Sequence, residues 1–119
     1  MHSQKTELSV NLDVLEKMVE IAANEVEGVA GLSRRVVNLK VSKNNILPFT
    51  GVKVEMNNGA VEIQVYICVE QNAPVRKVAA AVQENVKDKI QTMTGTAVTK
   101  VNVIVADLAQ RDIKLEKQG

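Results

Sequence analysis

The pair Asn58–Gly59 limits the possible folds of this chain most strongly, because it stands between two segments of alternating apolar and polar residues. Asparagine and glycine both tolerate the positive φ angles that a two-residue type I′ turn requires. With these two residues as the loop, apolar residues face each other in three pairs, Met56 with Val61, Val54 with Ile63, and Val52 with Val65. The apolar faces of both strands then coincide, so the sequence predicts a β-hairpin in this register.

The opposite face of the predicted hairpin is largely polar. Its residues are Lys53, Glu55, Glu62, Gln64, Tyr66, Cys68 and Glu70. This alternation is typical of a sheet that is covered by other elements on one side only.

Two segments have the apolar spacing of amphipathic helices that would cover such a sheet. The first runs from Asn11 to Glu27, with its stripe at Leu15, Met18, Val19, Ala22, Ala23 and Val26. The second begins at Pro74, with its stripe at Val75, Val78, Ala79, Val82, Val86, Ile90 and Met93. Asn11 can cap the first helix, and Gly28 and Gly95 can adopt the left-handed conformation that ends each helix.

The segment Ala97 to Ala106 predicts a final strand, with valines 101, 103 and 105 inward and Lys100, Asn102 and Ile104 outward. A short strand over Glu7 to Val10 is also consistent with the pattern. The 119 residues suit one domain. We predict a single domain with an α+β fold of two layers, in which two helices pack on one face of a mainly antiparallel sheet. Its core covers about residues 8–108, and its ends are flexible.

The stretch Ser33 to Thr50 allows two interpretations. It carries Arg34, Arg35, Lys40 and Lys43 without an acid and ends near an apolar group that includes Phe49. Such a segment suits docking on a partner or on an anionic membrane, where each basic residue contributes about 1 kcal/mol and binding is weak and salt-sensitive. A membrane-bound partner is therefore favoured over direct lipid anchoring. In the other interpretation the stretch is an ordinary strand, and Phe49 fills the core beside the hairpin.

The C-terminal residues from Arg111 to Gly119 alternate charge and apolarity without caps. They can fray, extend the last strand, or become ordered on a partner.

The sequence offers little material for catalysis. Cys68 is the lone cysteine and His2 the lone histidine, so a nucleophilic thiol has no evident base and no internal disulfide can form. We therefore predict no enzyme activity, catalytic residue, metal site or cofactor, since no phosphate-binding glycine motif is present either. The N-terminus lacks a secretory signal and no apolar run approaches about 20 residues, which predicts a cytoplasmic protein.

Nucleic-acid binding is not favoured. The net charge is +1, so no large positive field is expected. Gly28-Val29-Ala30-Gly31 followed by Arg34-Arg35 has the form of a backbone-clamping RNA-binding loop. However, its central residues are apolar and it leads into a predicted strand, whereas such loops lie between two helices.

Several motifs, in order, resemble the alkaline shock protein family of Gram-positive bacteria over about Leu8 to Leu108. They are the Glu25-Val26-Glu27-Gly28-Val29 helix end, the Gly51-Val52-Lys53-Val54 hairpin start, the helix from Val78 to Val86, and Met93-Thr94-Gly95 leading to Val101-Asn102-Val103. The sequence departs from the family pattern at Glu70 to Pro74, where an aromatic-glycine pair is common. The helix end and the second helix look closest to a lipid-metabolism-linked subgroup.

The resemblance implies a cytoplasmic protein of the general and cell-envelope stress response, in a family with abundant scaffolds held near the membrane by a partner. It supplies no catalytic residues. We therefore expect an oligomerising or adaptor module for envelope homeostasis, which binds itself and an unknown protein, with a membrane-bound protein as one candidate. The alternative is a regulator that binds an enzyme complex, such as one of fatty-acid precursor synthesis, or nucleic acid. The candidate interface residues are Tyr66, Cys68, Ile104, Arg34, Arg35, Lys40, Lys43 and Phe49.

Overall fold

The computed structural model describes residues 10–33 and 50–109. Its elements, in chain order, are α1 (Leu12–Asn24), β1 (Val29–Leu32), β2 (Val52–Asn57), β3 (Ala60–Val69), α2 (Val75–Thr94) and β4 (Val98–Leu108). The architecture is the predicted α+β fold. Of the strand predicted over Glu7 to Val10, only Val10 is described, and it lies outside any strand.

Strands β2 and β3 form the predicted hairpin. Asn58 and Gly59 are the loop residues, with φ of 54° and 81°, both in the left-handed region that a type I′ turn requires. All three predicted apolar pairs are present in the register. The predicted register is therefore confirmed, although Met56, near the turn, is 53% exposed.

Strand β3 is the centre of the sheet, since the other three strands all pair with it. On one side β2 lies antiparallel along its first half and β1 lies antiparallel along its second half. The backbone N–H of Tyr66 donates to the Gly51 carbonyl and the N–H of Ser33 donates to the Tyr66 carbonyl, which joins the two short strands at the middle of β3. Two short segments thus share one edge of a long strand.

Strand β4 occupies the other side of β3 and runs parallel to it over the full length of the pairing. Helix α2 makes the crossover that a parallel connection needs. The sequence predicts that this strand ends at Ala106, but β4 continues two residues further, to Leu108, through an irregularity beside Cys68. The sheet is mainly antiparallel, as predicted, with β4 as its parallel member.

Both helices cover the same face of the sheet. The inward side chains of β3 are almost completely buried at alternate positions, Val61, Ile63, Val65, Ile67 and Val69. They pack with Leu15, Val19, Ala22 and Ala23 of α1 and with Val78, Val82, Val86 and Ile90 of α2. The core is thus aliphatic. Of the residues predicted to lie on the apolar stripe of α2, Val75 and Met93 are instead exposed at its two ends.

Helix α1 ends at Asn24, three residues before its predicted end, and the chain then turns toward α2. The Glu25 carboxylate accepts hydrogen bonds from Asn85 Nδ2 at 3.2 Å and from Lys89 Nζ at 2.9 Å. These hydrogen bonds lower the pKa of Glu25. Asn85 also donates to the Ala22 carbonyl at 2.7 Å, so one side of α2 is fixed against the end of α1. Within the two described ranges, no helix is both long and apolar enough to cross a lipid bilayer.

Candidate functional site

The sheet face opposite the helices is the candidate site, and we call it the open face. It consists of Lys53 and Glu55 from β2, Glu62, Gln64, Tyr66 and Cys68 from β3, and Lys100, Asn102, Ile104 and Asp107 from β4. Among the described residues, neither helix lies on this side of the sheet. Within residues 10–33 and 50–109, the open face is therefore the side of the sheet that the two helices leave uncovered.

One end of the open face is charged and polar. Glu55 and Glu62 lie directly opposite each other, an arrangement that is unfavourable for two carboxylates. Lys53 Nζ lies 3.7 Å from a carboxylate oxygen of Glu55, and Lys100 is the register partner of Glu62. Cations of both neighbouring strands thus offset the two acids, and this end of the face is close to neutral.

The other end of the open face is less polar. Tyr66 pairs with Ile104 across β3 and β4, and Cys68 pairs with Asp107 one row further on. The Tyr66 hydroxyl donates to Gln64 Oε1 at 3.3 Å. All four side chains in these two rows are half-buried. The fold therefore brings the predicted interface residues Tyr66, Cys68 and Ile104 together as one patch.

The Cys68 thiol has an environment unlike that of a nucleophilic cysteine. Burial raises the pKa of this thiol, and the nearby Asp107 carboxylate raises it further. Less thiolate is therefore present at neutral pH than in an ordinary cysteine, whereas reactive cysteines have lowered pKa values. Within residues 10–33 and 50–109, no three histidine, cysteine or acidic side chains gather to form a possible metal site.

We predict that Cys68→Ser leaves self-association and stability nearly unchanged, because serine is similar in size and the thiol contributes only one atom to the open face. Light scattering at matched concentrations and urea unfolding of both proteins check this. A lost complex at unchanged stability would show that the sulfur itself has a role.

The outer edge of β4 adjoins the open face. Two neighbouring depressions, of about 700 Å³ and 540 Å³, run along this edge between the strand and α2. Both are lined by Ala80, Gln83 and Asn102, and Gln83 Nε2 donates to the Val101 carbonyl at 2.8 Å.

The remaining predicted interface residues, Arg34, Arg35, Lys40, Lys43 and Phe49, lie outside the described residues. The sequence reasoning missed Asp107 and Gln83, which border the same patch and edge. Asp107 was missed because the irregularity between Ile67 and Cys68 shifts its side chain onto the open face. The pattern of strict alternation carries no signal for such a shift.

The fold defines the class of this protein as a two-layer α+β module in which the described helices cover one face of the sheet. Solved structures of MamM CTD share its fold. A doubly substituted form has a TM-score of 0.57 at 17% identity and covers 87% of each chain. The copper form has a TM-score of 0.56 at 16% identity, over 86% of this chain and 88% of that one.

Sequence comparison identifies the family. The model of the ASP23 family, described as having a cell envelope-related function, matches residues 1–110. The uncharacterized protein YqhY of Bacillus subtilis (strain 168) is 31% identical over 117 residues, which cover 98% of this chain and 84% of that protein. The chain belongs to this family of alkaline shock proteins, as the sequence motifs indicated.

Proposed function

We propose that this protein is a non-enzymatic module that associates with itself and serves as an adaptor in the cell envelope and its stress response. The observation that carries the proposal is the juxtaposition of the open face with the outer edge of β4. Both surfaces meet at Ile104, whose side chain lies on the open face and whose strand forms the edge.

In the described part of the chain, a sheet face without helices lies beside a strand edge without a paired strand. This arrangement favours association on physical grounds. A strand edge presents backbone N–H and C=O groups that another chain can satisfy. Apolar side chains such as Tyr66 and Ile104, half-exposed beside that edge, gain free energy when a second surface excludes water from them. The polar end of the face, near Glu55 and Glu62, is less suited to such burial.

The proposal of a non-enzymatic role rests on Cys68. This side chain is the one cysteine in the chain, and its pKa is raised by burial and by Asp107. A thiol in this state is a poor nucleophile at neutral pH. Its position in the half-buried patch suits a contact residue instead.

The envelope role follows from membership of the family, whose function is cell envelope-related. We place the protein on the cytoplasmic side, peripheral to the membrane, and held there by a protein partner. The basic residues Arg34, Arg35, Lys40 and Lys43 are the proposed contact with that partner. Four such residues near an anionic bilayer would supply only about 4 kcal/mol before salt screening, so lipid attraction alone is weak.

Light scattering coupled to size-exclusion chromatography tests the proposal. A series from about 1 μM to 1 mM is expected to show the average mass rising reversibly above that of one chain, because the interface of a modest patch gives modest affinity. A single-chain mass at every concentration would contradict self-association. It would favour the alternative of a regulator that binds an enzyme complex or nucleic acid.

A further inference from the structure

The backbone N–H and C=O groups of successive residues in β4 point alternately toward β3 and away from it. The Val61 N–H donates to the Ala97 carbonyl, so the odd-numbered residues of β3 direct their backbone groups to β4. In a parallel ladder with Ile63 beside Val101, the backbone N–H and C=O groups of Ile63 form hydrogen bonds with the residues on either side of Val101, Lys100 and Asn102. Val101, Val103 and Val105 therefore direct their own N–H and C=O groups to the outer edge.

This outer edge is suited to receive another strand. Among the described residues no strand pairs with it, and the groove between β4 and α2 runs alongside. The Val103 and Val105 side chains are only partly buried, whereas their β3 neighbours Val65 and Ile67 are fully buried. A strand added at the edge would cover this remaining apolar surface. The Val101 carbonyl already accepts from Gln83, and its second lone pair remains for another donor.

The charges of β4 are arranged symmetrically about Val103. Lys100 lies beside Glu62, Val103 beside Val65, and Asp107 beside Cys68, so Lys100 and Asp107 are each three rows of the sheet from Val103. In the sequence, Lys100 is three residues before Val103 and Asp107 is four residues after it. The irregularity between Ile67 and Cys68 takes up the extra residue, so both charged residues lie the same number of rows from Val103. Both charged side chains lie on the open face.

We propose that two copies of this protein pair β4 with β4 in antiparallel orientation, about a two-fold axis at Val103, to form one continuous sheet. The proposal rests on the proposed self-association and assigns its interface. Pairing about Val103, with Ala106 left out of the new ladder as it is left out of the ladder with β3, places Lys100 of each copy across from Asp107 of the other. This arrangement gives two opposite-charge pairs. A second copy is the occupant that fits, because this charge pattern is complementary to itself.

The same register matches the remaining side chains. On the helix side, Val101 of one copy meets Val105 of the other, and the two Val103 side chains meet at the axis, so the apolar layer continues across the junction. On the open face, Asn102 meets Ile104 of the second copy. The irregularities near both ends of β4 interrupt the pairing beyond Lys100 and Val105, so Asp107 joins the row of Lys100 across the bulge at Ala106.

Charge exchange in the full chain tests this interface. Each of the variants Lys100→Asp and Asp107→Lys places like charges opposite each other in its own dimer. We expect each change to raise the dimer dissociation constant at least about tenfold. A mixture of the two variants restores both opposite-charge pairs, so a heterodimer with near wild-type affinity is expected. Sedimentation equilibrium of each variant and of the mixture measures this, with far-UV circular dichroism to check folding.

The matched control is Lys17→Asp, the same charge change on α1, which covers the opposite side of the sheet; the Lys17 side chain is 69% exposed. We expect its dissociation constant to stay within about threefold of wild type. Pairing through β4 would be overturned, with self-association still standing, if Lys100→Asp left the dimer intact or if Lys17→Asp weakened it equally. Failure of the mixture to restore the dimer would overturn it as well. A wild-type monomer at all concentrations would instead contradict the proposed function, and this interface with it.

Discussion

Replacing Ile67 with alanine is expected to lower the free energy of unfolding by about 3–4 kcal/mol. Ile67 is fully buried on β3, the strand with which the other three strands pair. Its truncation removes apolar burial and leaves a cavity that the surrounding valines are too short to fill. Since small domains are stable by about 5–15 kcal/mol, the loss is a large fraction of the total.

Urea unfolding followed by circular dichroism, at a concentration where the chain is monomeric, measures this loss without a contribution from association. The matched control is Ile21→Ala, since Ile21 lies on α1 with 53% of its surface exposed. That change is expected to cost less than about 1 kcal/mol, because little burial is lost. Equal costs for the two variants would contradict the position of β3 at the centre of the core.

The substitution Gly28→Ala is expected to cost about 3 kcal/mol, for two separate reasons. Gly28 has a φ of 97°, which residues other than glycine rarely adopt. A Cβ placed there would also lie 2.6 Å from Val78 Cγ2. Val78 is itself buried in the core, so its methyl group has little room to move.

Two further variants separate these causes. Gly59→Ala meets a similar backbone restriction, with φ of 81°, but no atom lies within 4 Å of its Cβ. We expect it to cost about 1–2 kcal/mol. Combining Gly28→Ala with Val78→Ala removes the clash, so the double variant should be more stable than the summed single effects predict. Strict additivity would show that Gly28 does not lie against α2.

The contrast between Gly28 and Asn58–Gly59 shows how far the sequence predicts this fold. The hairpin register followed from local residues alone, because a two-residue turn and a period of two leave one solution. The close approach of Gly28 to Val78 joins residues that are fifty positions apart, and no local pattern encodes it. The same holds for the Glu25 contacts with Asn85 and Lys89.

The candidate site could be predicted only in part, because local patterns indicate the face of a strand but not the contacts between distant segments. Tyr66, Cys68 and Ile104 follow the alternation of their strands, so their common face was accessible to pattern reasoning. The pairing of β4 with β3 could not be predicted in this way. A helical crossover does not by itself specify which strand of the sheet the strand after the helix joins. Asp107 reaches the open face only through the irregularity in that pairing.

Amide hydrogen exchange at increasing protein concentration tests self-association through the sheet most directly. In a monomer, the N–H groups of Asn102 and Ile104 bond to β3, whereas those of Val101, Val103 and Val105 point to the outer edge. We expect the three valine amides to gain protection as the concentration rises from about 1 μM to 1 mM, since each then donates to a second copy. Protection of these amides that is independent of concentration would mean that another part of the same chain covers the edge. If no amide in residues 10–33 or 50–109 gains protection over this range, the protein does not act by binding itself.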